Sequence, residues 1–158
     1  MGHAMTTVDD AMTTNDPAAR FWDKVADRYA RRPVGDEAAY QHKLRVTQDY
    51  LRPDMDVLEF GCGTGSTALV HAPFVKRILA TDVSPKMNEI ARRKAETAGT
   101  DNVSFEVAAF DELTESDASF DAVLGLNILH LLRDPGAAIA KAHKLLKPGG
   151  VFISSTAC

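Results

Sequence analysis

The chain has only two cysteines, Cys62 and Cys158, in 158 residues. One lies in a glycine-rich run and the other is the last residue, which argues against a disulfide framework and for the reducing cytoplasm. No apolar stretch approaches the roughly 18 residues of a membrane-spanning helix, so no membrane role is expected. The N-terminus lacks the basic-then-apolar pattern of a secretory signal. Positive charge is not in excess either. A net charge of −4 is the wrong sign for gripping a phosphate backbone, and nucleic acid is not expected as a partner. The short cationic runs Arg31-Arg32 and Arg92-Arg93-Lys94 read as solvated helix surface. No group of His, Cys and acids has metal-ligand spacing, and there is no internal repeat or low-complexity segment.

What is present is ordinary for one globular domain: 45% hydrophobic and 25% charged residues, enough to bury a core. Residues 1–15 are small and polar, and are expected to be flexible, with Met1–Met5 reading as a tag remnant. Residues 16–158 form the domain, opened by a helical cap over 16–52. Asp16-Pro17 is a helix start, and Phe21, Val25 and Tyr29, with Trp22 and Ala26 beside them, form an apolar stripe at helical spacing. Pro33 and Gly35 break this helix. A second begins near Asp36-Glu37, carries Tyr40, Leu44, Thr47 and Leu51 on one face, and stops at Pro53. Strands are then predicted at Val57–Phe60, Arg77–Thr81, Val103–Ala108, Phe120–Leu126 and Val151–Ser155. Helices are predicted between them at Gly65–His71, Pro85–Ala98 and Pro135–Leu146. This alternation implies an α/β fold with a doubly wound, mostly parallel sheet and helices on both faces.

The run Val57-Leu58-Glu59-Phe60-Gly61-Cys62-Gly63-Thr64-Gly65-Ser66 carries the functional signal. A buried strand leads straight into a loop with glycine at every second position, where a Cβ would block both the tight turn and a ligand's approach. The following helix offers free N–H groups to an anionic group. Glu59 lies at the strand's carboxyl end, where ligands of open α/β sheets bind. A dinucleotide loop has its third glycine one place later, at position 66, where this chain has serine.

This segment resembles motif I of the class I S-adenosylmethionine-dependent methyltransferases, an acid, one residue, then Gly-x-Gly-x-Gly. The resemblance extends from about Phe21 to the end. Asp82, after the second strand, matches the acid that binds the cofactor ribose, and Val83 the residue that packs on adenine; a purely helix-capping Asp82 is the alternative. The resemblance implies that Glu59, Gly61, Cys62, Gly63 and Gly65 hold the methionine end of S-adenosyl-L-methionine. After the third strand, Ala109 stands where the family usually has an acid. The adenine contact then falls either to the backbone of Phe110 or to Asp111. Gly125 and Leu126, on the fourth strand, match backbone contacts to the amino-acid end. Lys147-Pro148-Gly149-Gly150 resembles the structural turn before the fifth strand.

Methyl transfer from a sulfonium is an in-line displacement that needs positioning more than a dedicated acid or base. If the acceptor must lose a proton, His130 is the best-placed base, against a capping or partly buried histidine. Tyr29 is the preferred lid contact, against a core aromatic with an exposed tip. His42, His71 and His143 read as surface or packing residues. No Asn/Asp-Pro-Pro-aromatic motif follows the fourth strand, so a small-molecule acceptor is expected, with S-adenosyl-L-homocysteine as product. The rival functions are a non-catalytic S-adenosylmethionine-binding module and a NAD-dependent oxidoreductase. The family sheet usually continues past the fifth strand with a helix and a final antiparallel hairpin. The chain is therefore expected to be either a fragment or a reduced version of the fold, without the last two strands and with the fifth strand left as an apolar edge. A homodimer through that edge, or poor stability, is the expected consequence.

Overall fold

The computed structural model describes residues 16–156. The expectations for residues 1–15 and for Cys158 fall outside them.

Two capped helices open the chain. Asp16 accepts a hydrogen bond from the Ala18 N–H at 2.8 Å, and Pro17 starts helix α1 (Pro17–Arg31). Asp36 caps α2 (Glu37–Gln48) in the same way, through the Ala39 N–H at 3.0 Å. The chain then alternates: β1 (Asp56–Phe60), α3 (Ser66–His71), β2 (Arg77–Asp82), α4 (Pro85–Ala98), β3 (Val103–Val107), β4 (Phe120–Leu126), α5 (Pro135–Leu145) and β5 (Leu146–Ser155). The five strands form one parallel sheet in the order β3-β2-β1-β4-β5. Among the described residues no helix is long and apolar enough to cross a membrane.

Both sheet faces are covered, and the strands' two-residue period sorts side chains between them. Val57, Ile78, Ala80, Ala122 and Leu124 face one core with Ala68 of α3 and Ala91 and Ala95 of α4. Leu58, Phe60 and Val123 face the other, with Ala138, Ala142 and Leu145 of α5. The β1–β4 ladder ends at Glu59↔Leu124, whereas β1–β2 continues to Phe60↔Thr81. The strand order reverses between β1 and β4, so the carboxyl end of β1 opens onto the crevice where such sheets bind ligands.

On α1, Ala19 and Ala26 are buried, Trp22 and Val25 half-buried, and Phe21 (56%) and Tyr29 (44%) exposed. The small alanines let α1 lie close to its support. One expectation is corrected: Lys147–Gly150 is no turn before β5 but part of it. The register jumps from Phe120↔Leu146 to Ala122↔Val151, so extra residues bulge out of the ladder. Gly150 permits this, since a Cβ there would lie 2.9 Å from the Lys147 carbonyl and 3.0 Å from that of Asp121.

Candidate functional site

The glycine loop leaves β1 through three residues of positive φ: Gly61 at 63°, Gly63 at 57° and Gly65 at 80°. Its backbone is tied down by Cys62, whose N–H donates to the Thr81 carbonyl (2.9 Å) and whose carbonyl accepts from the Gly65 N–H (3.0 Å). A Cβ on Gly65 would lie 2.8 Å from the Ala91 Cβ and 3.0 Å from a ring atom of Phe105, so this glycine lets α3 start hard against α4 and β3. Gly63 is different. The nearest atom to a Cβ there would be Tyr29 Cε1, at 3.9 Å. A side chain at the middle of the loop would therefore meet only Tyr29 of α1, at ordinary van der Waals distance. The Cys62 thiol is buried, and burial pushes its pKa well above the ordinary range, so it is an inert packing group.

Two buried carboxyl groups flank the loop. Glu59 is 1% exposed; its Oε1 accepts from the Thr67 hydroxyl at 2.5 Å, and its Oε2 has no hydrogen-bond partner among the described residues. Burial raises its pKa to about 7, with the Asp82 charge adding to the rise and the Thr67 hydrogen bond and Lys43 opposing it. A buried carboxyl oxygen without a donor costs free energy until one arrives. Asp82 ends β2 on the other side. Its Oδ2 accepts from the Gly63 N–H at 2.9 Å and its Oδ1 from the Ser84 N–H at 3.0 Å. Each oxygen keeps a lone pair for a further donor. Burial raises the Asp82 pKa, against the hydrogen bonds from Ser84 and Gly63. Ser84, not Asp82, caps α4, through the Met87 N–H at 3.1 Å.

The N-terminal helices reach this place from outside. Asp23 of α1 accepts from the Ser84 hydroxyl at 2.5 Å and from the Lys86 N–H at 3.1 Å, and Asp27 pairs with Lys86 at 2.7 Å. These bonds fasten α1 to the turn that carries Asp82. On α2, Tyr40 is half-buried, its pKa raised by burial and then by the charge of Glu59, and the Lys43 ammonium lies 5.3 Å from its ring centroid.

The other sequence-predicted residues are distributed as follows. Val83 is half-buried between Asp82 and Ser84. Ala109 precedes a short 3₁₀ turn, Phe110–Glu112. The Phe110 ring stacks on Phe60 at 4.0 Å in the α5-side core, so its ring is committed there and only its backbone is left to offer a ligand; Asp111 is exposed. Gly125 and Leu126 are buried, and a Cβ on Gly125 would lie 2.5 Å from the Phe60 ring. His130 is exposed on the 3₁₀ turn after β4 rather than capping a helix or partly buried. Asp23, Lys43 and Thr67 are functional-site neighbours that no motif marks; only their one-turn spacing from Asp27, Tyr40 and His71 within known helices hints at their faces.

A buried acid with an open oxygen, a glycine loop and a second buried acid at the sheet's switch point form a site for a ligand with several hydrogen-bond donors. Residues 57–150 match the model of a methyltransferase domain family. The chain is 35% identical to a ubiquinone biosynthesis O-methyltransferase of Xanthomonas axonopodis pv. citri over 144 residues, 88% of this chain and 56% of that one. Among solved structures it resembles the YcgJ protein of Bacillus subtilis, with 29% identity, a TM-score of 0.69, and 72% of this chain and 50% of that chain covered. It also resembles the cyclase SpnF, with 27% identity, a TM-score of 0.71, and 76% and 46% covered. The chain belongs to the class I S-adenosylmethionine-dependent methyltransferase family. It spans about half the length of the curated relatives it matches.

Proposed function

We propose that this chain binds S-adenosylmethionine and transfers its methyl group to a small-molecule acceptor. The unpartnered Oε2 of buried Glu59, beside the glycine loop, is the observation that carries this reading. It fits a ligand that brings a cationic donor, which the amino-acid end of the cofactor has. When bound, the cofactor supplies an electrophilic methyl group on a sulfonium.

The chain's own residues then bind and orient. Glu59, Gly61, Cys62, Gly63 and Gly65 hold the methionine end, with Gly125 and Leu126 offering backbone groups from β4. Asp82 takes the ribose hydroxyls with the lone pairs that Gly63 and Ser84 leave open. Val83 packs on adenine, and the backbone around Ala109 and Phe110, or the Asp111 carboxylate, receives its amino group. Residues 16–52 act as a cap in which Tyr29 stands over Gly63 and excludes water. His130, exposed at the β4 end, accepts the proton of an acceptor that must lose one. The relative's name points to a hydroxyl acceptor.

The test is formation of S-adenosylhomocysteine from S-adenosylmethionine across a panel of phenols, amines and carbon acids. Acceptor-dependent turnover supports transfer. A second reading, binding without methyl transfer, is favoured by the similarity to SpnF, which is named a cyclase. Tight cofactor binding with no turnover on any acceptor would select it.

A further inference from the structure

Side chains alternate along β1, so Glu59 shares a sheet face with Val57, which packs in the core with Ala68 of α3 and Ala91 of α4. The glycine loop turns the chain back over that same face. Its positive-φ residues carry the chain into α3, so that Thr67, eight residues after Glu59, comes within hydrogen-bond distance of the carboxyl group. The Thr67 hydroxyl donates to Oε1 at 2.5 Å and is the one donor to this carboxyl group among the described residues. Oε2 has none.

The carboxyl group is thus held at one oxygen and open at the other. An ionised carboxylate only accepts, and its two oxygens are equivalent until a donor distinguishes them. Glu59 is 1% exposed, so bulk water is not that donor. Thr67 makes the distinction and, with it, restrains the side-chain rotamer. The other groups that face Glu59 act through space. Lys43 of α2 opposes the rise in its pKa and Asp82 of β2 adds to it, while Tyr40 of α2 and Cys62 of the loop feel its charge. Lys43 forms no ion pair among the described residues. His71, one turn after Thr67 on α3, has neither ring nitrogen bonded there, so it takes no part in the hold.

We propose that Thr67 is a positioning residue for cofactor binding: its hydroxyl takes Oε1 of Glu59 and so presents Oε2, in a fixed direction, to the ammonium of the cofactor's amino-acid end. The assignment rests on the methyltransferase reading and adds a residue that acts through Glu59. The bond exists before the ligand arrives, so binding meets a carboxylate that needs no reorientation. A hydrogen bond to the charged form also favours that form, which is the one that takes a cation.

Thr67→Val keeps the shape and removes the hydroxyl, whereas Thr67→Ser keeps the hydroxyl. Parent and both variants are titrated by calorimetry with S-adenosylhomocysteine, which has the amino-acid end, and with 5′-methylthioadenosine, which lacks it. Thr67→Val should bind S-adenosylhomocysteine about tenfold more weakly than the parent and methylthioadenosine equally well. Thr67→Ser should recover most of the lost affinity. In the ligand-free chain, carbon-13 NMR of the Glu59 carboxyl carbon should place its titration midpoint higher in Thr67→Val than in the parent, with Thr67→Ser returning it. Parent-like binding of S-adenosylhomocysteine by Thr67→Val, an equal loss for both ligands, an equal loss in Thr67→Ser, or an unmoved midpoint overturns the proposal alone. Failure of the parent to bind either ligand overturns the methyltransferase reading and this proposal together.

Discussion

Gly63 donates its backbone N–H to Oδ2 of Asp82 at 2.9 Å, joining two positions that are 19 residues apart. The glycine loop and the acid after β2 are therefore one unit. The acid that is assigned to the ribose also sets the position of the loop assigned to the methionine end. The two halves of the site cannot be altered independently.

Asp82→Ala removes a ligand acceptor and a loop anchor together. Cofactor affinity should fall by about 1–3 kcal/mol, the worth of hydrogen bonds to a charged group. Calorimetry on parent and variant measures it. Unchanged affinity would mean that the ribose is held elsewhere.

The glycines of the loop should separate by mechanism. Gly65→Ala forces a Cβ to 2.8 Å from Ala91 and 3.0 Å from Phe105 at a φ of 80°; the fold should lose about 2–3 kcal/mol in urea unfolding. Gly63→Ala meets only Tyr29 at 3.9 Å, so its cost to the fold should be near 1 kcal/mol, the strain of positive φ alone. Equal losses in both variants would contradict the packing assigned to Gly65.

Two buried titratable groups give stability opposite slopes over nearly the same pH range. Glu59 has a folded pKa of about 7 against an ordinary 4.5. Between those values the folded chain keeps a proton that the unfolded chain has released, so stability falls as pH rises, by on the order of 3 kcal/mol once above pH 7. His71 is fully buried with neither ring nitrogen hydrogen-bonded among the described residues, and burial lowers its pKa from 6.5 to about 4. There the unfolded chain binds the extra proton, so stability falls as pH drops from 6.5 towards 4, by a similar amount. The two contributions offset each other in the parent. Glu59→Gln should raise the melting temperature at pH 8 and expose the acid-side loss; His71→Leu should expose the fall towards neutral pH. Melting curves between pH 4 and pH 8 check this, and variants that merely run parallel to the parent would refute it.

The pH dependence of binding follows from the same carboxyl group. An ionised Glu59 is the form that accepts a cationic donor, so cofactor affinity should climb up to about pH 7 and then level. A flat profile from pH 5 to pH 8 would detach Glu59 from the cofactor.

Asp23 should govern the cap and not the sheet. Its carboxylate receives both the Ser84 hydroxyl and the Lys86 N–H, so Asp23→Ala removes two bonds between α1 and the β2–α4 turn. Amide hydrogen exchange over residues 17–31 should quicken severalfold while β1 and β4 stay protected. Uniform quickening would assign Asp23 a global role.

The sheet and the two acids were legible in the sequence because their signals are local. Unbroken apolar runs mark strands covered on both faces, and Glu59 and Asp82 each sit at a strand end beside a turn. What escaped depends on long-range packing. The Phe21–Val25–Tyr29 stripe, with Ala26 beside it, has helical spacing, but spacing does not reveal that Ala19 is buried alongside Ala26 while Phe21 and Tyr29 are exposed. Phe110 stands next to the expected adenine position, yet its ring is drawn into the core by Phe60, 50 residues earlier. Lys147–Gly150 carries turn residues, and only the β4 register shows that they serve a bulge.

The most direct test is a calorimetric titration of the chain with S-adenosylmethionine, S-adenosylhomocysteine and NAD. Micromolar binding of the first two with no binding of NAD is the expected result. Binding of NAD, or of none of the three, would contradict the assignment of Glu59, the glycine loop and Asp82 to this cofactor.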